Sequence, residues 1–443
     1  MSQGQQKNLF GFPFTFWAAN TIELLERAAY YAVASFIVIY LTETLGMTPV
    51  KATFLNGTLL WGIIYFLPIL SGTLADKYGF KKSLSLAFVL ITLGYILMGN
   101  LQRFWPASSD YTLPVVAAIL LIGIGGSFVK PCISGTVQKT SGLKTTLGFG
   151  IFYMTINIGS MCGRIVSYFV RTRVGLPSIF SIVATLFAVI GILVVLFIYR
   201  EPKYQEGESQ PTSRPKTLTQ ALTGMVTVLK DLKFVFFLIV IGFYWFIYVQ
   251  IYNLIPLFLR FIDPTAPVEL YTLVNPVMIV FFQLLITKVS KRWIPLQSMR
   301  IGIGITVVGM LLHILPFFLK VPLSSPLFSF LPAIPAAGFF MLLSLACMAI
   351  GEMMTSPRIY EYIGAISPKG QEGLYLGYAN LPVALGTIVG APLGGYFFKR
   401  FILQPHGAGE AVQAPTMWAI VAAMGVVSIV GLSFYDKLIR RNR

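Results

Sequence analysis

Residues 72–82 read Gly72-Thr73-Leu74-Ala75-Asp76-Lys77-Tyr78-Gly79-Phe80-Lys81-Lys82. The stretch holds three lysines and one acid, and apolar runs at 50–75 and 82–101 flank it. A helix that crosses a bilayer needs about 20 mostly apolar residues. The stretch is therefore expected to be a charged turn at a membrane surface between two such helices. Gly72 lets two helices approach closely, Asp76 can cap or pair near a helix end, and the lysines hold the turn in water. The same alternation runs through the chain. Apolar spans are expected at 12–41, 50–75, 82–101, 113–135, 147–170 and 176–199, then at 233–259, 268–290, 297–319, 333–358, 372–398 and 415–438. Hydrophobic residues make up 56% of the 443 positions and charged residues 11%, against roughly 25% charged in a soluble globular chain. Open sheet edges cannot be satisfied in lipid, so runs of this length are helices. The expected fold class is an all-α membrane protein with 12 transmembrane helices.

The first span is too long for a cleaved signal and contains Glu23, Glu26 and Arg27. The net charge of +17 sits mainly in the connections. With the N-terminus inside, 22 of the 33 Lys and Arg fall on the cytoplasmic side and 8 outside. That bias sets the orientation, with both termini cytoplasmic in a cell (inner) membrane. Arg171 and Arg173 run against it. No nucleic-acid partner is expected, because the charge lies in loops between lipid-facing spans. Residues 200–232 include the polar, proline-bearing run from Glu201 to Lys216 and read as a cytoplasmic linker. The expected domains are a six-helix half over 1–199, the linker over 200–232 and a second six-helix half over 233–443.

Ionisable groups inside the spans carry the functional signal, since an ionised group at the bilayer centre costs at least about 2.5–3.5 kcal/mol. Glu23, Glu26, Arg27, Tyr30 and Tyr31 fall within about 140° of one face of the first helix. Tyr153, Asn157, Ser160 and Arg164 fall within about 60° on the fifth. Lys130, followed by Pro131, lies deep in the fourth span, and Glu352 lies deep in the tenth, one turn before Ser356 and Pro357. At 1.5 Å per residue both charges are roughly 25 Å from the outer end of their helices. Matching depth makes Lys130 and Glu352 an expected inner gate. Arg164 is expected in the outer half of its helix, pairing with Glu269 or Asp263 when the outer side closes.

Several of these segments together resemble the proton-dependent oligopeptide transporter family of the major facilitator superfamily. Residues 72–82 resemble the facilitator loop pattern G-x-x-x-D-R/K-x-G-R/K-R/K. Glu23-Leu24-Leu25-Glu26-Arg27-Ala28-Ala29-Tyr30-Tyr31 is similar to the helix-1 signature E-x-x-E-R-F-x-Y-Y, with Ala28 in place of Phe. Phe152-Tyr153 through Ile156-Asn157 to Gly159-Ser160 is similar to F-Y-x-x-I-N-x-G-S. Lys130-Pro131, Gly351-Glu352 through Ser356-Pro357, Asn275-Pro276 and the stretch from Leu55 to Pro68 match further motifs of helices 4, 10, 8 and 2. The resemblance implies two six-helix halves with the substrate site near the midplane between them. It implies peptide binding by Arg27, Tyr30, Tyr31, Tyr65, Lys130, Asn157, Asn275 and Glu352. It also implies proton coupling through Glu23, Glu26 and Arg27. Arg27 and Lys130 would take the peptide carboxylate and Glu352 the amine. Many members carry a Glu where this chain has Val249 before Gln250, so the usual helix-7 proton route is not expected. The two extra helices that many bacterial members insert between the halves are not expected either.

The expected activity is proton-coupled symport of di- and tripeptides by alternating access. The partners are short peptides, protons and the bilayer, no cofactor is required, and a monomer is expected. A carrier of another small anion on the same fold would have no use for Glu352. A peptide sensor would be expected to carry a signalling tail, and only five residues follow position 438. No G-x-x-x-x-G-K-S/T loop is present to power transport by nucleotide hydrolysis. The glycines before Lys130 lie in a membrane span with no preceding strand, so they are not a dinucleotide fingerprint. His313 and His406 are the only histidines, and Cys132, Cys162 and Cys347 have no metal spacing, so neither metal chemistry nor catalysis is expected.

Overall fold

A computed structural model describes residues 11–106, 110–202, 223–224, 228–328, 334–367, 375 and 378–440. Most of the expected linker over 200–232 lies outside the described residues. Among the described residues, ten helices are long and apolar enough to cross a membrane, and two bent pairs, each counted as one span, bring the total to 12. In chain order, α1 is Phe14–Ala34 continued by Ile37–Thr44, and α2 is Pro49–Phe66 continued by Pro68–Tyr78. Then follow α3 (Phe80–Gly99), α4 (Thr112–Ser141), α5 (Thr145–Val174) and α6 (Ile179–Ile198). After the linker come α7 (Leu232–Ile262), α8 (Val268–Ser290), α9 (Pro295–Leu312), α10 (Ala336–Ile366), α11 (Leu381–Gly407) and α12 (Ala414–Arg440). The expected all-α membrane fold is the one observed.

The chain forms two compact units. The first comprises residues 1–34 and 66–223, and the second comprises 35–65 and 224–443. The boundaries fall where α1 and α2 each bend by 41°. The second piece of α1 and the first piece of α2 therefore belong to the second unit.

Close packing in each unit depends on missing side chains, because lipid gives helices no hydrophobic drive to associate. In the first unit, α5 lies on α1 through Gly159 and Gly163. A Cβ at Gly159 would meet the carbonyl oxygen of Leu24 at 2.5 Å, and one at Gly163 would collide with the carbonyl of Ala28. In the second unit, α9 and α10 meet through Gly302 and Gly351, each of which would run into the other's carbonyl at 2.5–2.7 Å.

Pro131, Pro357 and Pro392 lie inside helices, where a proline removes a backbone N–H and frees the carbonyl four residues earlier. Each freed carbonyl receives a side-chain donor from a neighbouring helix. Pro131 of α4 frees the Ser127 carbonyl, and Ser71 Oγ of α2 donates to it at 2.7 Å. Pro357 of α10 frees Met353, which accepts from Gln283 Nε2 of α8 at 3.4 Å. Pro392 of α11 frees Ile388, which accepts from Thr58 Oγ1 of α2 at 2.8 Å. Orphan carbonyls are costly where water is absent, and these donors satisfy the three that the prolines free.

Residues 72–82, expected as a turn, are helical on both sides of Gly79, and that one residue joins α2 to α3 with a φ of +92° that suits glycine. The acid that caps α3 is Glu201 at the start of the linker. It accepts from the backbone N–H of Phe80 at 2.7 Å and of Lys81 at 2.9 Å. Asp76, the nearer candidate in sequence, is exposed. Gly72 faces the Pro131 ring of α4, but a Cβ added there would meet it at an ordinary contact distance of 3.4 Å, so the expected close approach does not require a glycine at this position.

Candidate functional site

The first unit assembles most of the expected site residues on α1, α4 and α5. Glu23 and Glu26 are 1% and 3% exposed, so both carboxylates are inside the protein rather than facing lipid. Arg27 lies between them. Its Nε is 3.5 Å from Glu23 Oε1 and forms a hydrogen-bonded ion pair with Glu26. The guanidinium also lies over the Tyr30 ring at 5.1 Å and the Tyr31 ring at 6.0 Å. The polar face expected on α1 is thus one connected cluster. Arg27 is shared by two acids, so protonating either one releases part of its hold on the cation.

On α5, Asn157 Nδ2 donates to the Tyr153 carbonyl at 3.0 Å. Arg164 is 1% exposed, bonds Ser160 one turn back, and stacks over the Tyr31 ring at 4.7 Å. Tyr31 therefore stands in contact with both part-buried Arg27 and buried Arg164, a link that helical periodicity alone does not reveal. Lys130 is partly exposed in α4 and makes no hydrogen bond or ion pair with another described residue. It stands about 27 Å from the start of α4, and Glu352 stands about 24 Å from the start of α10.

The second unit carries Tyr65, Asn275 and Glu352. Tyr65 packs at 5.6 Å on Trp61, which packs on Tyr252 of α7 at 4.9 Å. Glu352 is held from two helices. Asn275 Nδ2 of α8 donates to Glu352 Oε2 at 3.0 Å, and the Tyr248 hydroxyl of α7 donates to the same oxygen at 2.7 Å. The Tyr248 ring rests against Trp245 at 5.0 Å. A carboxylate with two donors on one oxygen is fixed in direction before any ligand arrives. Asn275 and Glu352, chosen separately from the sequence, thus meet in one cluster. Tyr248 was not among the expected site residues.

The remaining expected gate acids differ from each other. Asp263 is occupied in a local turn, accepting from Thr265 N at 2.8 Å and Thr265 Oγ1 at 2.6 Å. Glu269 is 1% exposed on α8. In the second unit, the second piece of α1 is fastened to α7 by Glu43 and Arg260, whose bidentate contacts are 2.6 and 2.9 Å. Ser35 and Thr272 bond at 3.1 Å, and Asn56 Nδ2 donates to Asn253 Oδ1 at 3.2 Å. No group of His, Cys, Asp and Glu able to hold a metal ion occurs among the described residues.

The profile of the Major Facilitator Superfamily matches residues 21–341. An uncharacterized MFS-type transporter of Bacillus subtilis (strain 168), YttB, is 25% identical over 383 residues, covering 83% of this chain and 82% of the relative. Dipeptide and tripeptide permease A of Salmonella typhi is 25% identical over 234 residues, covering 50% of this chain and 44% of the permease. The alignment thus spans less than half the length of that curated peptide permease. Among solved structures, a POT family transporter in complex with 5-aminolevulinic acid is similar, with a TM-score of 0.74, 18% identity and 98% of both chains covered. The helical architecture, the polar interior of the helices and the superfamily match over 21–341 agree, and the chain belongs to the Major Facilitator Superfamily.

Proposed function

We propose that the protein is a proton-coupled symporter of di- and tripeptides that works by alternating access. It would sit in the cell (inner) membrane as a monomer with both termini cytoplasmic. The observation that carries this reading is the fixed Glu352 carboxylate, held by Tyr248 and Asn275, in a chain that also places Arg27 and Lys130 inside its helices. A zwitterionic peptide needs an anion for its amine and cations for its carboxylate, and these residues supply both. Tyr30, Tyr31, Tyr65 and Asn157 offer hydrogen bonds to a peptide backbone without selecting one side chain. The similarity to named dipeptide and tripeptide permeases supports the same substrate class. A plain anion would leave Glu352 without a role.

Lys130 and Glu352 form the inner gate in this reading, and the substrate competes for both. Glu23, Glu26 and Arg27 carry the proton coupling. Arg164 serves the outer gate, pairing with Glu269 or Asp263 when the outer side closes. In this reading residues 1–199 and 233–443 are the two six-helix halves, joined by the linker over 200–232.

Uptake of labelled dialanine into proteoliposomes tests the function. An acidic exterior is expected to accelerate uptake, and an uncoupler is expected to abolish accumulation against a gradient. Sodium-driven uptake with no pH effect would refute the coupling. A chain that transports no peptide and is inhibited by none would refute the substrate class.

A further inference from the structure

Along the lipid-facing side of the second unit, α7 and α12 enclose an open groove of about 530 Å3. It is lined by Phe236, Val426, Val427, Val430, Gly431 and Phe434. Its floor exists because Gly431 has no side chain: a Cβ there would meet Val240 Cγ2 at 2.8 Å. One end is closed by the edge-on Phe236 and Phe434 rings, 6.0 Å apart. Val430 is 62% exposed and Phe434 59%, so the groove is presented to the bilayer rather than to another described helix.

The helices run antiparallel here, and two contacts give the register: Phe236 meets Phe434, and Val240 meets Gly431. Continuing that register one turn beyond the two rings brings Lys233 opposite Lys437. Lys437 lies two turns after Val430 and within about 20° of it on α12, and Lys233 stands in the same relation to Val240 on α7. Both lysines are exposed, as is Lys230 just before α7. The adjacent acids are engaged elsewhere. Asp436 turns to Arg300 of α9 at 3.4 Å. Asp231 accepts from the Phe234 backbone at 3.1 Å and from the Tyr375 hydroxyl at 3.2 Å. Two cations thus face each other at the mouth of an apolar groove, with no acid paired to either among the described residues.

We propose that this groove binds one anionic phospholipid, with an acyl chain along Val427, Val430 and Phe434 and the phosphate between Lys233 and Lys437. Basic pockets between helices at a membrane surface recognise acidic headgroups in this way. Length and polarity both fit: the apolar lining lies at acyl depth, and the lysines extend toward the headgroups. In the orientation proposed above, the occupied leaflet is the cytoplasmic one.

Native mass spectrometry of the purified full chain, titrated with dioleoylphosphatidylglycerol or dioleoylphosphatidylcholine, tests this. The wild-type chain is expected to retain one phosphatidylglycerol with about thirtyfold preference, the scale of two lysines at an anionic headgroup. K233Q/K437Q is expected to bind the two lipids equally, while V430W, which fills the groove, loses that bound lipid whichever headgroup it has. K288Q/K291Q, which removes two lysines at the end of α8, is expected to keep the preference. Equal binding of the two lipids by the wild-type chain would overturn the proposal, as would an undiminished preference in K233Q/K437Q. Loss of the preference in K288Q/K291Q would assign it to general surface charge. A change of oligomeric state in V430W with lipid binding intact would assign the groove to a second copy of the chain.

Discussion

Replacing Tyr248 with Phe removes a single oxygen and leaves the ring that packs on Trp245. That oxygen donates at 2.7 Å to Glu352 Oε2, which also accepts from Asn275 at 3.0 Å. A hydrogen bond to a charged group contributes about 1.5–3 kcal/mol. Because Asn275 remains, the lower end applies, and about 1.5 kcal/mol corresponds to roughly a tenfold change in an equilibrium constant. Y248F is therefore expected to weaken competition by dialanine for uptake about tenfold, through a carboxylate no longer held toward the amine. N-acetyl-dialanine has no ammonium group for Glu352 to bind, and its weaker competition should be unchanged. N275A should shift the same comparison in the same direction. The measurement is the concentration of each competitor that halves uptake of a labelled tripeptide in proteoliposomes. A change below twofold for dialanine, or an equal loss for both competitors, would show that Tyr248 does not act through the amine site.

Three further outcomes follow from the packing and the α1 cluster. E26Q removes the acid hydrogen-bonded to Arg27 and should abolish proton-driven accumulation while sparing peptide exchange across the membrane, read as counterflow. S71A leaves the Ser127 carbonyl without its donor and should cost about 1–3 kcal/mol of stability in a detergent unfolding titration. P131A restores the missing N–H, so S71A in that background should cost far less, and strict additivity would refute the assignment. G163A drives a Cβ into the Ala28 carbonyl and should destabilise by about 1–3 kcal/mol, whereas G150A, with nothing within 4 Å, should be neutral or stabilising. Equal effects of the two alanines would contradict the packing.

The twelve spans were legible because hydrophobicity over about 20 residues is a local property that lipid enforces. The α1 cluster was legible for a related reason: Glu23, Glu26, Arg27, Tyr30 and Tyr31 share a helix, so periodicity alone places them together. Residues brought together by tertiary contact were harder. Tyr248 lies in a run with Tyr244 and Trp245, and nothing local marks which hydroxyl reaches Glu352 on another helix. Asp76 was the natural cap for α3 by proximity, but the chain returns through α6 and delivers Glu201 instead. The bends of 41° in α1 and α2 also escaped the sequence reading. The first has no proline beside it at Ala34-Ser35-Phe36, and the second falls at Leu67-Pro68. Those bends decide that residues 35–65 pack with the second unit, which is a property of contacts and not of composition.

The lent donors at the three internal prolines have a consequence for biosynthesis. Ser71 precedes Pro131, Gln283 precedes Pro357 and Thr58 precedes Pro392 along the chain. Ribosomes deliver helices to the membrane in that order, so each helix that arrives with an orphan carbonyl finds its partner already inserted. The reverse arrangement would leave a bare carbonyl in lipid until a later helix emerged, a costly wait in a solvent with no hydrogen bonds to offer. A circular permutation that starts the chain between α2 and α4 puts Ser71 and Thr58 behind Pro131 and Pro392, reversing their order of arrival while Gln283 still precedes Pro357.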